Sequence, residues 1–302
     1  MLSVVIPGFN EEGNVEKTAL VISDILSQAS ITYELIFVDD GSKDGTWSAI
    51  QKMHSQNTNI KGIKFSRNFG KESAIFAGLK EAKGDCVVVI DCDLQHPPEK
   101  ILEMYRLWED GYEIVEGIKA DRGKEGAAYS FAAKCFYDIF SNAAGTDLRH
   151  ASDFKLLDRK AVNALINMPE KNTFFRALSS WVGFRSTQVE YDVREREAGE
   201  TKWSTKTLTK YAIDNITSFT SAPMHIVTVL GVILFIVALV LSVITLYQKI
   251  AGIALEGFTT VIILQCLTSS IIMISLGIIG YYISKIYYEI KARPRYIISE
   301  RL

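Results

Sequence analysis

Two aspartates one residue apart, Asp91 and Asp93, stand where an apolar run stops. The run Val87–Ile90 is β-branched and lies between Gly84-Asp85 and Pro97-Pro98, which predicts a buried strand ending at Asp91. Alternate side chains of an extended backbone share a face, so Asp91, Asp93 and Gln95 are expected on one side and Cys92 and Leu94 on the other. Such oxygen ligands suit Mg²⁺ or Mn²⁺, whose other positions are filled by water and a substrate's phosphates. An acidic turn capping a helix that begins at Pro97 would read the same way in isolation, so the rest of the chain must decide.

The elements that would carry this pair repeat one pattern. Leu2–Ile6, Tyr33–Val38, Gly62–Phe65 and 86–90 read as buried strands. Amphipathic segments follow over Asn14–Gln28, from Asp44-Gly45-Thr46 to His54, and through Lys80. Apolar strands alternating with helices predict an α/β fold with a mostly parallel sheet covered on both faces, in which ligands bind beyond the carboxyl ends of the strands. The polar clusters at 9–12, 39–44, 66–71 and 91–95 all fall at those ends and so converge on one crevice. Further on, Glu113–Glu116, Asp153–Leu157 and Phe184–Val193 read as extended, and Ala127–Ser141 and Arg159–Asn167 as helical.

Composition divides the chain. Of its 302 residues 48% are hydrophobic, but charges are nearly absent from 225–246 and 258–284. Each stretch exceeds the ~20 apolar residues that cross a bilayer as a helix. Lys249 and Glu256 occupy the short connection, whereas Lys285, Lys291, Arg293, Arg295 and Arg301 follow the second stretch, which places the C-terminal side and the large N-terminal part in the cytoplasm. Ahead of the first stretch, Lys202, Lys206 and Lys210 recur every four residues, a basic stripe suited to an anionic membrane surface. The expected domains are a catalytic part over 1–200, an amphipathic interface helix over 201–222 and two spans with a basic cytoplasmic tail over 223–302. A net charge of −2 argues against general nucleic-acid binding. Cys86, Cys92, Cys135 and Cys266 have neither metal-site nor disulfide spacing.

Within the crevice, Glu11 and Asp39 or Asp40 can accept hydrogen bonds from a base N–H or ribose hydroxyls, while Asp91 and Asp93 with a metal neutralise a diphosphate. No G-x-G-x-x-G or G-x-x-x-x-G-K-[ST] occurs, so the dinucleotide and P-loop fingerprints are missing. Lys71 and Arg67 serve either the substrate or ion pairs with Glu72 or Asp44. His96 reads as a helix-start residue.

Taken in order, Pro7…Asn10-Glu11, Asp39-Asp40-Gly41-Ser42-x-Asp44-Gly45-Thr46, Ser66-Arg67-Asn68-Phe69-Gly70-Lys71 and Asp91-Cys92-Asp93-Leu94-Gln95-His96-Pro97-Pro98-Glu99 resemble the family-two inverting glycosyltransferases with a GT-A fold. Asp153-Phe154-Lys155-Leu156-Leu157, Ala198-Gly199-Glu200-Thr201-Lys202, the two spans and Arg293-Pro294-Arg295-Tyr296 narrow the resemblance to the polyprenyl-phosphate sugar transferases. The resemblance implies a membrane-bound enzyme that moves a hexose, best read as glucose from UDP-glucose, onto undecaprenyl phosphate. GDP-mannose, UDP-galactose and UDP-amino sugars are the alternative donors.

It further implies a nucleotide-sugar site of Pro7, Phe9, Asn10, Glu11, Asp39, Asp40, Lys71, Asp91, Cys92, Asp93, Gln95, Arg122, Arg196 and Lys202, with Asp91, Asp93 and Gln95 on the metal. Asp153, Asp93, Arg196 and Lys202 form the catalytic set. Asp153 is expected to orient the acceptor more than to remove a proton. Phe9 replaces the usual tyrosine, leaving only ring packing there. A second copy of the chain, a downstream flippase and a further glycosyltransferase are the implied partners. A processive synthase would carry Q-x-x-R-W, and the comparable stretch here is Phe174-Phe175-Arg176-Ala177-Leu178-Ser179-Ser180-Trp181. A non-catalytic lipid-binding scaffold would not need an acidic pair at a strand end.

Overall fold

The computed structural model describes residues 1–119, 152–170, 174–192, 222–252, 257–291 and 293–302. The expected helix over 127–141, the interface helix expected over 201–222 apart from its last residue, and Arg122, Arg196, Lys202, Lys206 and Lys210 lie outside the described residues. The chain divides into two compact units, Met1–Ala212 with Arg293–Leu302, and Ile213–Ala292.

In the first unit β1 (Leu2–Gly8), β2 (Tyr33–Asp39), β3 (Ile60–Phe65) and β4 (Cys86–Val89) alternate with α1 (Glu12–Gln28), α2 (Thr46–Gln56) and α3 (Lys71–Glu81). α4 (Lys100–Glu109), β5 (Ile114–Lys119), β6 (Lys155–Asp158), α5 (Arg159–Ile166), α6 (Phe175–Trp181) and β7 (Ser186–Tyr191) follow. The eight-stranded sheet runs β7-β5-β6-β4-β1-β2-β3-β8, where β8 is Ile298–Arg301. β4, β1, β2 and β3 are mutually parallel, as alternating apolar strands and helices require. β6 departs from the expected parallel arrangement by running antiparallel to both β4 and β5, and so does β8 by running antiparallel to β3.

Every residue of β2 and β4 is buried, and Val15, Ala19, Ile22 and Leu26 of α1 pack against the sheet with Leu35, Phe37 and Val88. Pro7 is tolerated inside β1 because pairing with β4 ends at Val5 opposite Val89, so beyond that point no β4 partner needs its missing N–H.

β8 is the element that the sequence grouped with a basic cytoplasmic tail; the structure places it in the sheet. Leu302 N–H donates to the Gly62 carbonyl at 2.9 Å and Ser66 N–H to the Ile297 carbonyl at 3.0 Å. Trp47 Nε1 donates to Glu300 at 3.0 Å, and Lys64 pairs with the same carboxylate at 3.2 Å. Tyr296 stacks on Phe65 with centroids 4.9 Å apart, and Arg295 lies over the Phe76 ring while donating to the carbonyls of Met168 and Glu170. A short strand of polar residues has no face of its own to bury; it is held by β3's otherwise open edge and by these aromatic and ionic contacts.

The second unit holds α7 (Ala222–Ile250) and α8 (Phe258–Ile290), which contact one another. Windows at Val229–Gln248 and Leu267–Tyr287 are long and apolar enough to cross a membrane. Their large apolar side chains, such as Phe235, Leu239, Met273 and Ile283, are exposed. The hydroxyls of Thr268 and Ser275 bond back to the carbonyls of Leu264 and Ile271, at 2.9 and 2.8 Å, which satisfies them without water.

Candidate active site

The loops after β1, β2, β3 and β4 are tied into one rim. Asn10, with φ 56°, donates its backbone N–H to Ser42 Oγ at 2.8 Å and accepts from Lys43 N–H at 2.9 Å. Glu11 N–H donates to Thr46 Oγ1 at 2.9 Å, and Gly45 N–H to Glu12 at 3.0 Å. The Asp40 carboxylate accepts from Phe69 and Gly70 N–H at 2.6 and 2.9 Å. Gly41 is required where the second and third loops meet: its φ is 69°, and a Cβ would strike the Arg67 backbone.

These bonds separate the two adjacent aspartates that the sequence left as alternatives. Asp40 is committed to the β3–α3 loop, and burial pushes its carboxyl up to about 6 despite the two N–H donors. Asp39 Oδ1 accepts from Ser42 N–H at 2.8 Å, while its buried Oδ2 has no partner among the described residues. A buried acceptor without a donor is costly unless a ligand supplies one, so Asp39 is the better placed of the two for a base or ribose donor. Asn10 and Glu11 spend part of their capacity on the rim, Glu11 accepting from Asn14 at 2.6 Å.

β4 stops at Val89, two residues before the expected end, so Asp91 and Asp93 stand on a loop. The alternation holds at Cys92 and fails at Leu94, which is half-exposed like Asp93 and Gln95 and leaves the extended backbone. Cys92 is buried in the core with its carbonyl accepting from Thr18 Oγ1 at 2.7 Å, and burial raises its thiol, whereas Asp91, Asp93 and Gln95 are half-exposed. Cys92 therefore offers no side chain to a nucleotide sugar, contrary to its inclusion in the expected set. Leu94 adopts φ 55°, a conformation rare for leucine, and lets Gln95 N–H reach back to Asp93 Oδ1 at 3.1 Å.

Beside this loop runs a chain of alternating charge. Lys71 Nζ bridges Asp91 Oδ1 at 2.6 Å and Asp153 Oδ2 at 2.7 Å, so its partners are neither Glu72 nor Asp44. Arg176 closes on Asp153 from the other side, with Nε 2.7 Å from Oδ1 and Nη2 2.9 Å from Oδ2. Burial alone would raise the Asp153 carboxyl, yet Lys71 and Arg176 hold it well below the usual range. Arg67 lies over the Phe69 ring, 4.4 Å from its centroid.

α6 was not foreseen, and with it Arg176 was missed as a site residue. Its position is set from below by Lys155, fully buried, which pairs with Glu116 at 2.9 Å and donates to Ser179 Oγ at 2.8 Å. Glu72 accepts the Phe175 N–H at 2.8 Å, and burial with the nearby Asp153 charge pushes its carboxyl up to about 8. His96, read as a helix-start residue, is buried between Phe154 and Tyr191, with Nδ1 lacking a hydrogen-bond partner among the described residues and 3.9 Å from Asp91 Oδ2.

For a metal, no group of three or more His, Cys, Asp or Glu with holding geometry exists among the described residues. Two half-exposed carboxylates beside Gln95 fit a hard ion that keeps water and phosphate ligands, not one caged by protein. Mg²⁺ or Mn²⁺ fits that donor set.

A mostly parallel sheet with an acidic pair beyond β4 and cations facing it defines a GT-A domain. Residues 3–167 match the glycosyl transferase family 2 model, and the chain is a glycosyltransferase belonging to that family. It is 38% identical to an uncharacterised glycosyltransferase of Synechocystis sp., over 99% of this chain and 95% of that one. It is 35% identical to a prophage bactoprenol glucosyl transferase homolog of Escherichia coli, over 99% and 98%, and 32% identical to the bactoprenol glucosyl transferase of Shigella phage SfX, over 99% of each. Among solved structures, mannosyl-3-phosphoglycerate synthase from Rubrobacter xylanophilus superposes with a TM-score of 0.50 at 17% identity over 72% of both chains, which speaks to the fold alone.

Proposed function

We propose that the enzyme transfers glucose from UDP-glucose to the phosphate of a polyprenyl phosphate, with inversion at the anomeric carbon. The observation that carries this reading is the full-length likeness to bactoprenol glucosyl transferases, spans included. The crevice supports it with an acceptor-rich rim at Asp39 and Glu11 for the nucleoside and an acidic pair for the diphosphate side. Arg122, Arg196 and Lys202 are proposed as additional diphosphate contacts.

In the reaction a phosphate oxygen of the acceptor attacks the anomeric carbon opposite the diphosphate, and the bond from that carbon to the diphosphate oxygen breaks. A phosphate monoester has a second pKa near ~6 and arrives mostly dianionic at neutral pH, so no proton must be removed. Asp153, already ionised and gripped by two cations, is suited to fixing Lys71 and Arg176 beside the reacting phosphates. Those cations offset the repulsion of two anions brought together. Mg²⁺ or Mn²⁺ held by Asp91 and Asp93, with Gln95 alongside, supplies charge neutralisation to the leaving diphosphate when bound.

Residues on both sides of α7 and α8 belong to one sheet. A chain that crosses a bilayer at both helices must therefore leave and return on the same side. With basic residues following α8 and none in the connection at 251–257, that side is proposed to be the cytoplasmic one, where nucleotide sugars occur. A product made there is a substrate for a flippase and a later transferase. The deciding experiment offers undecaprenyl phosphate with labelled UDP-glucose, UDP-galactose, GDP-mannose and a UDP-amino sugar. Preferential labelling of the lipid from UDP-glucose is expected; preference for another donor overturns the sugar, and no lipid product from any donor overturns the reaction.

A further inference from the structure

Lys71 occupies a position that ordinary helix energetics disfavour. It is the first residue of α3, where the positive end of the helix dipole repels an ammonium. The two carboxylates it bridges differ in what else they have. Asp153 keeps Arg176 on both oxygens, so it stays neutralised if Lys71 leaves or shifts. Among the described residues, Asp91 has Lys71 at 2.6 Å and, beyond it, only the His96 ring at 3.9 Å. The ammonium thus sits on one of the two carboxylates expected to hold the divalent ion.

We propose that Lys71 is the resident counter-cation of the metal site: it occupies Asp91 in the resting enzyme, opposes metal binding there, and yields Asp91 when a nucleoside diphosphate enters. This rests on the reading of Asp91 and Asp93 as metal ligands. The diphosphate gives the displaced ammonium a new anion to face, and Asp153 with Arg176 holds its other side in place. Metal and nucleotide binding then become mutually dependent through a single side chain, and by linkage each raises the affinity for the other by the same factor.

The test measures Mn²⁺ affinity of the full-length protein in detergent micelles by electron paramagnetic resonance and calorimetry, with and without UDP or GDP. In the unmodified enzyme Mn²⁺ binds weakly alone and tighter with nucleotide. Lys71→Met should tighten Mn²⁺ binding without nucleotide on the order of tenfold, the usual scale of coupling between two ligands, and should shrink the enhancement that nucleotide brings. Lys71→Arg keeps the bridging charge and should behave like the unmodified protein. Equal or weaker nucleotide-free Mn²⁺ binding in Lys71→Met overturns the proposal while leaving the metal site intact. If Lys71→Met does not fold, Lys71→Arg decides alone, since loss of the enhancement despite a retained charge also overturns it. Absence of Mn²⁺ binding to the unmodified protein even with nucleotide overturns both this proposal and the metal assignment beneath it.

Discussion

The guanidinium of Arg176 holds both carboxylate oxygens of Asp153, at 2.7 and 2.9 Å, in the paired geometry that only an arginine fork provides. Neither residue is free to act alone: the carboxylate is locked ionised, and the guanidinium is aimed by it. Replacing Arg176 with Ala should lower kcat on the order of a hundredfold, the scale set by losing one preorganised electrostatic contact. Lys should rescue little, because a point charge cannot span two oxygens. Steady-state kinetics with the lipid acceptor checks this, and full activity in Arg176→Lys would contradict it.

Activity should depend on a divalent ion held by the acidic pair. Asp93→Asn is expected to cut transfer to near background while the unfolding midpoint stays within a few degrees of the unmodified protein. Undiminished turnover in excess EDTA would sink the assignment.

Glu72 gives a pH dependence of stability. Its carboxyl is raised from 4.5 to about 8 in the fold, so the folded state binds the proton more tightly than the unfolded one. The stability it contributes is complete below about pH 4.5 and is lost as pH climbs through 8. Glu72→Gln, permanently neutral, should therefore flatten the fall in unfolding midpoint between pH 6 and 9 and be the more stable protein at pH 9. Parallel curves for the two proteins across that range would refute the protonated state.

The β8 strand should be needed for the fold of the first unit. Tyr296→Ala removes the stack on Phe65, an aromatic pair worth about 1 kcal/mol beyond its burial, and deletion of 297–302 also unpairs the edge of β3. Thermal unfolding should show a drop of several degrees for the first and a larger one for the second. A soluble form ending at Ser221 should be less stable than one to which 293–302 are joined by a flexible linker; equal midpoints would show that the strand is dispensable.

The four parallel strands and the crevice at their ends were readable because a β-branched run that stops at a polar cluster reports its own strand and its own end. Boundaries moved by one to three residues: β2 was expected over Tyr33–Val38 and runs to Asp39, and the helix expected at Pro97 begins at Lys100. β8 was not readable, since Ile298-Ser299-Glu300-Arg301 has no alternation and becomes a strand only when β3 is beside it. The site divided along the same line. Asp91 and Asp93 announce themselves by spacing, but Arg176 and Lys155 act through partners more than twenty residues distant in sequence, and nothing local marks that. Whether Asp39 or Asp40 faces a ligand was likewise undecidable until Phe69 and Gly70 were seen to claim Asp40.

The pairing of β8 with β3 also fixes an order of events during biosynthesis. A ribosome releases β3 early, then both apolar helices, and only then the strand that covers β3's edge. Until residues 296–302 have emerged, the sheet is open on one side and Trp47 and Phe65 lack their partners Glu300 and Tyr296. Completion of the first unit's sheet therefore waits for residues 297–302: until they are in place, β3 presents an unpaired edge of the kind that other strands and chaperones recognise.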